Sequence, residues 1–155
     1  MTRTIVRRDW LAAGVAAGIV AGLTVSAFAA FSQWNESRSV SDTYTFLASL
    51  IVGPQAAAAG GSWVVPLGIA GLFAGSIAWA FGYLYAARRQ PQLLTRPLVS
   101  GIGFGIVVWF VNQLVLVTMD RFTPTFYGLD RDLIAYVIFF GVPLAFTAAK
   151  LLRER

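Results

Sequence analysis

The chain has 155 residues, of which 57% are hydrophobic and only 12% charged, with a mean hydropathy of +0.70 and a formal net charge of +5. Soluble globular domains carry about 25% charged residues, so this density excludes an ordinary water-soluble fold. The absence of cysteine and histidine excludes disulfides, thiolate chemistry, Cys/His zinc sites and the commonest haem ligand, and removes the side chain best suited to proton transfer near neutral pH.

A helix crosses a hydrocarbon core of roughly 30 Å with about 20 apolar residues. Four such segments stand in the sequence, at about 10–32, 63–87, 98–118 and 133–150. With their short connections they fill 1–155 as one membrane domain. The expected class is all-α and polytopic, with a short interfacial or re-entrant helix between the first and second spans.

The first span follows Arg3, Arg7 and Arg8 and is followed by Trp34, a residue that favours the headgroup zone. Arg7-Arg8-Asp9-Trp10-Leu11 resembles a twin-arginine leader, and Ala27-Phe28-Ala29 reads as a cleavage site. The apolar stretch exceeds the 7–15 residues of a signal core, so an uncleaved anchor is expected. Gly14, Gly18, Gly22 and Ser26 recur at every fourth position, which puts them on one helix face where another backbone can approach closely. The simple reading is internal packing of one compact bundle; the sharper one is docking of this stripe onto another subunit.

Ser41 or Asp42 can cap a short amphipathic helix over 42–52, carrying Phe46, Leu47, Leu50 and Ile51 and stopped by Gly53-Pro54. Its rise of about 16 Å is too short to cross. The small-residue run Ala56 to Gly61 follows. The second span admits Pro66 in its first turn, holds Gly68, Gly71, Gly75 and Gly82, and ends near Tyr83 and Tyr85. The basic loop after it holds Arg88, Arg89 and Arg96, which suit anionic lipid headgroups.

The third span holds Gly101 and Gly105 for packing, and Asn112 and Gln113, the most polar pair inside any span. That pair suits interhelical hydrogen bonds, or a polar contact to a lipid, quinone, pigment or small solute. Gly101, Gly103 and Gly105 lack the spacing of a dinucleotide loop. In the loop from Asp120 to Asp132, the aspartates interleave with Arg121 and Arg131, so local pairing is expected there in preference to a bound cation. Pro143 removes a backbone donor from the fourth span and should kink it.

Charge sets the orientation. Arg3, Arg7, Arg8, Arg88, Arg89, Arg96, Lys150, Arg153 and Arg155, nine of the 12 basic residues, fall on one side. The positive-inside rule makes that side, with both termini, cytoplasmic. These residues act as topology signals, so the sequence pI of about 10.2 implies no nucleic-acid partner. No Asp, Glu, Lys, Arg or His lies inside a span, Lys150 marking the end of the fourth, whereas pumps, proton-coupled carriers and voltage sensors need such groups within the membrane.

The glycine-striped first helix, Phe81-Gly82-Tyr83-Leu84-Tyr85, and Arg96-Pro97-Leu98 leading to Gly101, Phe104-Gly105 and Trp109 resemble small bacterial proteins of the YagU-like group. The resemblance implies a bacterial inner-membrane bundle and carries over no activity. From the residues themselves, the expected role is a non-catalytic accessory or scaffold subunit of a membrane complex, possible hosts being respiratory or photosynthetic. It would pack through its glycine faces against other subunits or copies of itself, with no intrinsic cofactor or metal. The alternative is a homo-oligomeric channel or facilitator for a neutral solute.

Overall fold

A computed structural model describes residues 7–119 and 129–153, with the backbone alone at residues 7, 8, 129, 130 and 153. Arg3, residues 120–128 and the last two residues lie outside it, and so does most of the expected aspartate pairing. The described residues are helical with short turns, and no strand occurs among them. Four helical stretches, Asp9–Asn35, Val64–Arg89, Pro97–Thr118 and Arg131–Leu152, are long and apolar enough to cross a membrane.

Helix α1 (Arg7–Asn35) runs past the expected end at Ser32. Ser37 adopts a left-handed φ of 56°, and Arg38 N–H donates to the Gln33 carbonyl at 2.9 Å. This closure usually uses glycine, so its signal was absent from the sequence. Helix α2 (Val40–Val52) begins two residues before the expected start, because its cap is Ser39 and neither Ser41 nor Asp42. The Ser39 hydroxyl accepts from Ser41 N–H at 3.3 Å, satisfying a donor the first turn leaves free. Gly53, at φ 86°, ends α2, and Pro54 opens the short α3 (Pro54–Ala58).

Helix α4 (Val64–Arg89) is followed by a single turn, α5 (Gln92–Thr95), and by α6 (Pro97–Thr118). The fourth long stretch is composite: α7 (Leu129–Ile134), a π-helical segment Ala135–Gly141, and α8 (Val142–Arg153). The expected disturbance at Pro143 takes the form of this wider winding, in which Val142 N–H reaches back five residues to the Val137 carbonyl. Pro143 brings no N–H to the Phe139 carbonyl four residues before it. The Thr24 hydroxyl of α1 donates to that carbonyl, and it also lies 2.9 Å from Val20 O and 3.1 Å from Ala21 O. With one hydrogen it can serve one acceptor at a time.

Side by side, the order is α2, α4, α1, the fourth stretch, α6. The seam is lined with small residues: Ala13, Ala17, Ala21, Ala80, Ala145 and Ala148 are buried around Leu84, Val108 and Leu144. This filled core occupies the half of the bundle nearer Arg88, Arg89 and Lys150, called the basic end below. Outward faces are apolar, including Leu11, Val15, Ile19 and Leu23 of α1 and Ile102, Ile106, Phe110 and Leu114 of α6.

Candidate functional site

The glycine stripes are used within the chain. A methyl group on Gly14 would strike the Phe81 ring, one on Gly18 would lie 2.5 Å from Ile77 Cα, and one on Gly22 would meet the Phe73 ring, all on α4. Ser26, the fourth member, lies 2.5 Å from the Tyr44 hydroxyl of α2. Gly101 and Gly105 of α6 face the backbone of the fourth stretch at Gly141, Val142, Tyr136 and Val137, and Gly141 returns the contact onto Gly101 and Gly105. Gly68 receives the Tyr44 carbonyl of α2, and Gly71 the Ile51 side chain. Gly75, Gly82 and Gly103 have open space beside them.

The arrangement leaves a gap. In the basic half, α4 and α6 meet through rings: Phe104 sits edge-on to Tyr83 at 5.2 Å and to Trp79 at 6.1 Å. Towards the opposite end these two helices are not packed together. The space between them, bounded by α1, α2 and the π segment, is a cleft with two confluent parts. One, of about 300 Å³, runs past Leu50, Gly71, Gly75, Ser76, Trp79, Val115 and Phe140. The other, of about 260 Å³, reaches Ser32, Gln33, Thr43, Gln113, Arg131 and Asp132. Val25, Phe46, Leu47, Leu72, Asn112, Leu116 and Tyr136 line both.

Chemically the cleft is graded. Its deep part is aliphatic and aromatic, while its far end gathers three amides, a phenol and hydroxyls. Asn112 hydrogen-bonds Tyr136, Gln33 donates through Nε2 to Thr43 Oγ1 at 3.1 Å, and the Oε1 atoms of Gln33 and Gln113 are buried without a partner among the described residues. A buried unpaired amide oxygen costs about 1–3 kcal/mol, so the polar end has capacity to spare. At the rim, Arg131 bonds Glu36, which Arg38 approaches at 3.7 Å. The hydrogen bond from Arg131, with the charges of Arg131 and Arg38, holds the Glu36 carboxyl below its ordinary value of 4.5 against some desolvation.

Asn112 and Gln113, singled out in the sequence, thus stand on the cleft wall. Gln33, Thr43 and Tyr136 do not stand out in the sequence, because Gln33 and Thr43 sit among other polar residues at helix ends and Tyr136 is one aromatic ring in an apolar run. The three arginines do not converge on one site. Arg88 lies over the Trp10 ring at 4.6 Å, Arg89 over Tyr85 at 5.0 Å with a 2.7 Å hydrogen bond to its hydroxyl, and Arg96 lines a separate slot beside α6. Among the described residues, no three of His, Cys, Asp or Glu gather as a metal site. The cleft groups can orient a ligand through hydrogen bonds. Compared with family models, curated proteins and solved structures, the chain matches none of them.

Proposed function

We propose that the chain is a four-span integral membrane protein that works by binding and not by catalysis, as an accessory subunit holding an amphipathic molecule of the lipid, quinone or pigment class in the cleft between α4 and α6. The observation that carries this reading is the gradient along the cleft, apolar from Trp79 to Leu116 and rich in amides and hydroxyls from Asn112 to Gln33. Ligand pockets take this form, mostly apolar with a few placed polar groups. Membrane insertion is supported by the outward rows of Leu, Ile, Val and Phe, far more apolar surface than a soluble monomer exposes.

In this reading the basic end is cytoplasmic, the cleft lies in the outer half, and α2 is a re-entrant helix lying along α4 from Gly68 to Gly71. The stripe of α1 is occupied by α4, so the surface left for a partner subunit is the small outward face of α4 at Ala74, Ala78 and Gly82. The filled basic half leaves no evident path through one bundle, which makes the facilitator reading the weaker one.

Photolabelling tests the cleft. A diacylglycerol carrying a diazirine in its acyl chain should label peptides around Leu72–Trp79 and Val115–Leu116 in purified protein. Gly75→Phe, placed where the added side chain meets open space, should abolish that labelling without unfolding the chain. Labelling that stays on outward residues alone, or that survives Gly75→Phe, would refute the reading.

A further inference from the structure

We propose that Arg96 and the slot beside it form a second lipid site, which holds the phosphate and one acyl chain of an anionic phospholipid at the basic end. The inference rests on the membrane reading above but not on the cleft. Arg96 is set apart from its neighbours by its lack of a partner among the described residues. Arg88 and Arg89 lie over aromatic rings. The Arg96 side chain has no hydrogen bond, ion pair or ring contact with any described residue.

A guanidinium with no partner among the described residues, at the mouth of an apolar slot, is complementary to a phosphate that carries a hydrocarbon tail. Gln90 and Gln92 stand at the same mouth with amide donors. The slot, of about 390 Å³, continues along α6 past Val99, Gly103 and Val107, positions that share one helix face. The missing side chain of Gly103 keeps that lane open, since a methyl group there would meet nothing.

The eleven helical residues from Pro97 to Val107 rise about 16 Å, close to one leaflet's share of a hydrocarbon core of roughly 30 Å. That length fits an acyl chain from the near leaflet. The slot is also preformed. The Tyr83 hydroxyl donates to the Leu93 carbonyl at 3.0 Å and lies 2.9 Å from Ser100 Oγ, which itself reaches Leu93 O at 2.7 Å. Phe104, wedged against Trp79 and Tyr83, forms the wall.

The test is native mass spectrometry of the full chain released from nanodiscs, titrated with phosphatidylglycerol and phosphatidylcholine of the same acyl composition. Wild type should retain one phosphatidylglycerol in preference. Arg96→Gln should cut that preference about fivefold, the effect of one cation near an anionic surface. Gly103→Leu should lower retention of both lipids while leaving the melting temperature unchanged, and Arg89→Gln should change neither. Full preference in Arg96→Gln, an equal loss in Arg89→Gln, or displacement of the lipid by free glycerol phosphate would each overturn the site. Release of wild type from membranes by alkaline carbonate would instead refute the spanning reading.

Discussion

Replacing Gly18 with alanine inserts a methyl group 2.5 Å from Ile77 Cα and 2.8 Å from Ile77 Cγ1. Carbon atoms rest about 3.5–4.0 Å apart, so α1 and α4 must separate by roughly 1 Å. A side chain cannot absorb that shift, because the nearer atom is backbone. The separation would loosen a seam in which Ala13, Ala17, Ala21 and Ala80 are 0–1% exposed. Overpacking of this kind costs about 1–3 kcal/mol, and the better helix propensity of alanine returns up to about 1 kcal/mol. A net loss of about 1–2 kcal/mol follows. Gly75→Ala, with open space at its methyl position, keeps the propensity gain alone and should be neutral or slightly stabilising. Titration with sodium dodecyl sulfate in mixed micelles, followed by ellipticity and tryptophan fluorescence, measures both. Equal midpoints for the two variants would refute the packing argument, since it depends on the difference between those sites and not on glycine itself.

Thr24→Val should destabilise the bundle by about 0.6–1.5 kcal/mol, the range for such bonds in membranes and in proteins generally. Pro143→Ala, which returns an N–H near Phe139 O, should shrink that cost in a double-mutant cycle; additive costs would show that Thr24 does not serve the carbonyl exposed by Pro143. For Glu36, whose carboxyl titrates below 4.5 in the folded chain, the contribution is full above the ordinary value and is lost as pH falls through the lowered one. Melting curves should therefore show wild type and Arg131→Gln differing at neutral pH and converging on acidification; a constant gap would disprove the linkage.

Long apolar runs are written locally, and for that reason the long helices were legible to within a few residues at each end. Asn112 and Gln113 were conspicuous because amides are costly inside an apolar run. The rest of the cleft could not be read in the same way. Its polar end joins Gln33, Thr43 and Tyr136 to them across more than one hundred residues of sequence, and no local pattern encodes that meeting. Glycine spacing marked the packing face of α1 but not which helix would fill it. Gly75 shares the spacing of Gly71 yet faces open space, because it lies on the cleft wall, where α6 does not pack against α4. The turns were missed for a different reason. Ser37 takes a glycine conformation without being glycine, and Ser39 caps α2 ahead of two better-placed candidates.

The π winding from Ala135 to Gly141 has a bearing on how this helix tolerates change. A widened turn is equivalent to one surplus residue, so the portions before and after it are out of phase by about 100° relative to an uninterrupted helix. Tyr136 can thereby look towards the amides while Leu144, Ala145 and Ala148 keep their own alignment with α1 and α6. Deleting a single residue such as Ile138 would restore ordinary winding and force a choice between the two alignments. Substitutions here should therefore be absorbed far more readily than a one-codon loss, which would rotate one end of the helix away from its neighbours.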